Sequence, residues 1–425
     1  MNKEFITQGG TPITAELATD LRNLVFGTAA IPMRAEWLQT SFVFGAPKEE
    51  LAYGLRSPRN ATRGLLSVVQ GFVLKYLLFA RKTSRVASLT DPLLATADMQ
   101  REALFCALLE ILRTISDKGK VTMVLPSEDE VFVDHSACYF HDSVTEKFTE
   151  EETPGTLLFL YSAVLTRSMG KVRTDLDSAK STPLTSSNHE EGSLMIVTLL
   201  LTGRATPYIH NGVVNVGDES SYAVPQYGVL KRCMIGLLLW DIESASAAVN
   251  QSRQPGSRLK TPNYPIWITS CTGHFGVIFN KNPDLLRNYH AESRFDVNYY
   301  SCSGHQILMT IDNRTYNEQA LVMLERQPIT PESTSMSGKE DGGGATSPTT
   351  VSGGGGAAAG GGVGGASGGV GGAASGASGG NDVVAKEEST LNTPLQRLIR
   401  TKWEEATISF HVQPSMLSYL FSTTQ

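Results

Sequence analysis

The chain has 425 residues, 41% of them hydrophobic, and a formal net charge of -6. That length fits one large domain or two ordinary ones with ample core, and the slight acid excess argues against general nucleic-acid binding, which needs a basic surface. Five scattered cysteines without a Cys-x-x-Cys pair signal neither a disulfide framework nor a zinc site, so a reducing compartment, cytosol or nucleus, is expected.

The first residues, "MNKEFITQGG", carry no long apolar run, so no secretory signal is expected. "TPITAELATDLRNLVFG" reads as a short helix with Leu17, Leu21 and Leu24 on one stripe and Gly27 as its stop. "AEWLQTSFVF" reads as a turn and a strand. A helix follows from about Gly64 to Phe79, apolar on every side and therefore buried and central. Three arginines, Arg56, Arg59 and Arg63, crowd its entry, although a helix start carries partial positive charge and favours anions. "MQREALFCALLEILRTIS" is a cleaner amphipathic helix through Leu104, Leu108, Ile111 and Ile115. "DSAKSTPLTSSNHEEG" is polar and turn-rich, a loop. "SLMIVTLLLTGRA" reads as a buried helix closed near Gly203, and "VLKRCMIGLLLWDIE" as another.

Strand signals come later. "PIWITS" and "HFGVIF" flank "CTG", and "FDVNYYS" and "QILMTID" flank "CSGH", predicting two β-hairpins. Helices first and strands later favour an α+β domain over alternating βαβ units. From about Thr330 to Ser389 the chain is Gly, Ala and Ser with almost no large apolar residue, a composition that predicts a disordered insertion. Folded sequence resumes at "TPLQRLIRTKW", with Thr393 as N-cap, Pro394 at the first helical position and Gln396 completing a capping box. The expected organisation is one domain built from residues 1–329 and 390–425, interrupted by 330–389.

No P-loop, dinucleotide fingerprint or nucleophile elbow is present, and no cofactor is implied. His135, His141, Asp134 and Asp142 fit no standard metal spacing and read as polar loop residues. The apolar clusters read as too short or too interrupted to span a membrane. "NAT" at Asn60 matches a glycosylation acceptor, which has no meaning in a reducing compartment. The arginine cluster reads as a solvated basic loop, with an anion site as the alternative. His274, at the head of a core strand, reads from pattern alone as structural.

The blocks "PITAELATDLRNLVFG", "EWLQTSFVFG", "LLSVVQGFVLKYLLF", "LLLTGRA", "LKTPNYPIWITSCTGHFGVIF", "RFDVNYY" and "TPLQRLIRTKW", in this order, resemble the MINDY family of cysteine deubiquitinases, in the branch that includes an inactive paralogue. The resemblance implies a papain-like α+β fold, a central buried helix packed on a late antiparallel sheet, and cleavage of polyubiquitin. It implies a Gly-Gly-Pro-Cys motif at the helix entry with cysteine as nucleophile, a glutamine six residues earlier holding the oxyanion, and a later histidine before a Phe as base. On this chain the nucleophile position falls on Arg63, the motif's other positions on Asn60, Ala61 and Thr62, the oxyanion position on Ser57, and the histidine position on His274. A helix N-terminus and a nearby histidine would activate a thiol, but arginine stays charged and offers no nucleophilic atom. The chain is therefore expected to be a pseudoenzyme rather than an enzyme. Any action would come from binding ubiquitin or polyubiquitin or from scaffolding, with no nucleic acid and no membrane as partner. Two alternatives stand beside it: residual cysteine-type hydrolysis, and an interaction protein without ubiquitin affinity. Cys271 is the substitute nucleophile worth naming: if "TG" is a two-residue turn, it lies opposite His274. Its simpler role is that of a small buried hydrophobe.

Overall fold

The computed structural model of the chain describes residues 11–57, 61–80, 91–117, 119–126, 131–134, 148–176, 182–185, 193–217, 224–240, 254–314 and 393–411. The expected insertion, 330–389, and the side chains of Asp134, His135, His141 and Asp142 lie outside them. Among the described residues no group of three or more His, Cys, Asp or Glu could hold a metal ion.

The chain opens with a two-residue strand β1 (Thr11–Pro12) and the helix α1 (Ala15–Phe26). Thr14 Oγ1 accepts from Leu17 N at its start, and Gly27 closes it in the left-handed conformation at φ 81°. "AEWL" forms a one-turn helix, α2 (Ala35–Leu38), where a plain turn was expected. Strands β2 (Val43–Phe44) and β3 (Leu55–Arg56) then pair antiparallel and lead to the central helix α3 (Arg63–Lys75). Every α3 residue after Arg63 is buried, as its all-round apolar pattern requires. A π-helical turn, Tyr76–Ala80, extends it. The stretch Arg63–Ala80 is thus long and apolar enough to cross a membrane, where the sequence suggested it was too short, but 67% of it is buried inside the protein, as in a core helix.

Helix α4 (Ala97–Ile115) packs beside α3, burying Leu104, Leu108, Ile111 and Ile115. Strands β4 (Met123–Pro126) and β5 (Val131–Asp134) form a small sheet with β1. Helices α5 (Gly155–Arg167), α6 (Met169–Asp175) and α7 (Leu194–Thr202) complete the helical layer. A separate two-stranded ribbon joins β6 (Val213–Val216) to β7 (Val224–Tyr227).

The main sheet has six strands in the order β13 (Thr407–Phe410), β12 (His305–Asp312), β11 (Arg294–Ser301), β10 (His274–Phe279), β9 (Ile266–Cys271) and β8 (Gly236–Trp240). β8 is Gly236–Trp240, so "GLLLW" is a strand and not the helix its apolar run suggested. It lies parallel to β9 (Ile266–Cys271), and a parallel strand buried on both faces reads as a continuous apolar run with no alternation. The short helix α8 (Ser257–Lys260) connects them. The two expected hairpins are present, β9 with β10 (His274–Phe279) and β11 (Arg294–Ser301) with β12 (His305–Asp312). After the undescribed stretch, α9 (Pro394–Arg400) begins with the expected capping box: Thr393 Oγ1 accepts from Gln396 N and Gln396 Oε1 accepts from Thr393 N. β13 (Thr407–Phe410) then pairs with β12, returning the chain to the same sheet.

Alternation along the strands splits the core in two. Ile266, Ile268, Phe275, Val277 and Phe279 face α3 and the helical layer. Trp267, Cys271, Ile278, Val297 and Met309 face α9 on the other side.

Candidate functional site

Three segments meet where α3 begins. The first is the strand-like segment Tyr53–Ser57, held by a residue inside α3. Gln70 is fully buried; its Nε2 donates to Tyr53 O at 3.0 Å and its Oε1 accepts from Leu55 N at 2.6 Å. Tyr300, on β11, donates from its hydroxyl to Leu55 O at 2.9 Å. Burial lifts the Tyr300 phenol well above its ordinary range, with Cys302 and Tyr53 adding and Arg56 opposing.

Ser57 ends this segment. It is buried, its N–H donates to the carbonyl of Cys302 at 2.7 Å, and its Oγ sits 3.4 Å from Thr62 Oγ1. A serine at this depth is tied to its neighbours and does not stand forward as a donor for an incoming oxyanion.

The second segment is the start of α3. Thr62 is its N-cap residue, fully buried, at φ -100° and ψ -3°, and its side chain makes no cap hydrogen bond. Arg63 is the first helical residue and half-buried. A positive charge at the first helical position runs against the helix dipole. Of the three arginines at the helix entry, two fall within the described residues. Arg56 is exposed on β3, paired with Val43, and its Nη2 lies over Gly45, while Arg59 is outside the described residues.

The third segment is the β9–β10 turn. Cys271 and His274 face each other across Thr272 and Gly273, as the two-residue turn requires. Both turn residues have positive φ, 48° at Thr272 and 85° at Gly273, the type I′ pattern. Thr272 is β-branched and strained in that region. It is held by donating its N–H to Trp240 O at 3.0 Å. Phe275 links this turn to α3. A Cβ on Gly64 would already stand 3.4 Å from the Phe275 ring, so the aromatic edge lies against the helix backbone. Ser57, Thr62, Arg63 and Phe275 thus come together, with His274 the next residue along.

By strand alternation His274 shares a face with Cys271, opposite to Phe275. Cys271 is 3% exposed and packs in the α9-side core.

Several residues of this region carried no signal in the sequence. Cys302 supplies the carbonyl that anchors Ser57, and its Sγ lies 3.9 Å from Ser67 Oγ, one turn into α3. The β10–β11 register sets Val277 opposite Tyr300, so the Cys302–Gly304 turn lies at the same end of the sheet as His274. On that turn Ser301 Oγ is 2.8 Å from Ser303 Oγ, which is 3.0 Å from His305 Nδ1. Gln70 is a polar residue in an apolar helix, which could have marked it; the others are visible only through contacts between distant parts of the chain.

The family described as "Deubiquitinating enzyme MINDY-3/4, conserved domain" matches residues 22–149 and 146–412. The human "Probable ubiquitin carboxyl-terminal hydrolase MINDY-4" is 29% identical over 324 residues, covering 71% of this chain and 41% of that protein. The cattle (Bos taurus) protein of the same name is 31% identical over 326 residues, with 71% of this chain and 41% of that protein covered. The human "Ubiquitin carboxyl-terminal hydrolase MINDY-3" is 26% identical over 320 residues, 64% of this chain and 67% of that protein. The chain therefore spans about two fifths of the length of the MINDY-4 relatives it matches. No solved structure matches it. The family resemblance is borne out. The expectation that the chain is no enzyme is overturned: the matching family is described as a deubiquitinating enzyme and its relatives are named hydrolases. That expectation rested on one loop, Ser57, Asn60, Ala61, Thr62 and Arg63, which was too narrow a basis for the activity of the chain.

Proposed function

Because the chain belongs to the MINDY-3/4 deubiquitinating-enzyme family, we propose that it acts on ubiquitin conjugates and receives the ubiquitin carboxyl-terminal tail where α3 begins. The arrangement is papain-like, with a central buried helix against a late, mostly antiparallel sheet. Arg63 stands at the position that carries the nucleophile in the family, and His274 at the position of its histidine. The observation that supports this reading is the start of α3: among the described residues the N-cap Thr62 makes no side-chain cap bond to the first-turn N–H groups, and Arg63 follows it directly. The first-turn N–H groups and the guanidinium are donors suited to a carboxylate or to the polarised carbonyl of an isopeptide. The test is polyubiquitin binding by calorimetry, with cleavage of the same chains followed in parallel. Binding by the wild-type protein is expected. Its absence at high micromolar concentration would leave an interaction protein without ubiquitin affinity.

A hydrolytic role through a displaced thiol has one specific observation behind it, the pairing of Cys271 with His274 across the turn. In that case Cys271 Sγ attacks the isopeptide carbonyl after losing its proton to the imidazole, which returns a proton to the leaving amine, and water releases the acyl group. A thiol-reactive ubiquitin probe would then form an adduct that Cys271→Ala abolishes. An adduct that survives this substitution, or none at all, removes Cys271 from the chemistry.

A further inference from the structure

The β6–β7 ribbon does not behave like the rest of the fold. All four residues of β6 are exposed, and all but one of β7. Val213, Val214, Val216, Val224 and Tyr227 are among the exposed large apolar residues, with Val224 62% exposed, and Leu230 and Met234, a few residues further along the chain, are exposed as well. These make up more than half of the exposed large apolar residues in the described part of the chain. A ribbon of two strands with both faces in water is marginal, and a concentrated apolar surface of this kind marks an interaction site.

The two edges of the ribbon differ. β7 contains Pro225, paired with Asn215. A proline in a strand sits where its missing N–H would face away from the partner strand, so the outer edge of β7 is blunted. In an antiparallel pair, opposed residues direct their N–H and C=O groups the same way relative to the ladder. Asn215 therefore also presents its N–H and C=O outward, and so does Val213, two residues earlier. β6 reads "VVNV", without charge, lysine or proline, and among the described residues no further strand pairs with its outer edge.

We propose that β6 pairs antiparallel with β6 of a second copy of this chain, about a two-fold axis at Val214, giving a four-stranded sheet. The outward groups of Val213 meet those of Asn215 in the partner, and the reverse, as hydrogen-bonded pairs. Val214 then faces its own mate in a close, non-hydrogen-bonded pair. The strand is uncharged, so pairing with itself brings no like charges together, and the interface is isologous and closes. The short edge and adjoining patch fall at the small end of specific interfaces, so the dimer is concentration-dependent.

Sedimentation from about 1 to about 100 µM, a range suited to a small interface, reads the mass directly. The mass is expected to rise from the monomer value of 45.8 kDa toward twice that. Asn215→Pro removes an outward N–H while sparing the ribbon's own ladder, and it is expected to leave a monomer with unchanged circular dichroism. Val214→Lys is likewise expected to be monomeric, and mixing it with Val214→Glu should restore the dimer even if the proline variant folds poorly. Under oxidation Val214→Cys is expected to yield a cross-linked dimer that the wild-type protein does not. A monomer at every concentration, or a dimer that survives both Asn215→Pro and Val214→Lys, would overturn the proposal.

Discussion

Replacing Gln70 with leucine is expected to destabilise the fold by about 2–5 kcal/mol. The side chain is fully buried on α3 and uses both ends of its amide on one backbone segment, donating to Tyr53 O and accepting from Leu55 N. Leucine is similar in size, so the cavity contribution is small. What remains is one buried carbonyl and one buried N–H without these partners, at about 1–3 kcal/mol each, set against a small gain from the apolar side chain. Denaturant unfolding followed by circular dichroism and tryptophan fluorescence measures the loss. Gln70→Glu separates the two bonds, since a carboxylate still accepts from Leu55 N but cannot donate to Tyr53 O. A loss below about 1 kcal/mol for Gln70→Leu, less than one orphaned group should cost, would refute the view that α3 holds the segment ending at Ser57.

Other outcomes test neighbouring contacts. Thr272→Asn, which places at φ 48° a residue that tolerates the left-handed region, is expected to raise stability by about 1 kcal/mol; a lower thermal midpoint would show that Thr272 is unstrained. Tyr300→Phe loses the bond to Leu55 O and is expected to cost about 1–2 kcal/mol in denaturant unfolding. Asp91 is raised by partial burial but lowered further by the Lys281 ammonium and the Leu93 N–H, leaving its carboxyl below the ordinary value. A depressed carboxyl stabilises the fold above its unfolded pKa, and that contribution fades as pH falls through the folded one. Asp91→Asn should therefore flatten the acid side of the stability profile by about 0.2–1 kcal/mol, the size of a largely exposed pair, and leave the slope above neutral pH unchanged.

Local chemistry explains which parts of the fold were legible in the sequence. Thr14 and Gly27 bracket α1, Thr393 and Gln396 cap α9, and "TG" between two strands made a type I′ turn; each signal lies within a few residues of the structure it specifies. The failures come from context. "GLLLW" has the composition of a buried helix, and only its parallel neighbour β9 makes it a strand. The helix Gly155–Arg167 was not recognised, because "GTLLFLYSAVLTR" is buried on nearly every side and Pro154 offers no side-chain cap. β6 and β7 are exposed, so no burial pattern marked them. At the candidate site, Arg63, Ser57 and His274 were identified through family resemblance. The anchoring of Ser57 by Cys302, and the contact of Phe275 with Gly64, join segments far apart in the chain and leave no trace in either one alone.

If the start of α3, with Arg63, receives the ubiquitin tail, reversing the charge there weakens binding. The most direct measurement is the affinity of the wild-type protein and of Arg63→Glu for tetra-ubiquitin, side by side. Wild-type binding is expected, weakened at least about tenfold by the charge reversal, equivalent to about 1.4 kcal/mol. Equal affinities, or no binding by the wild-type protein at high micromolar concentration, would contradict it.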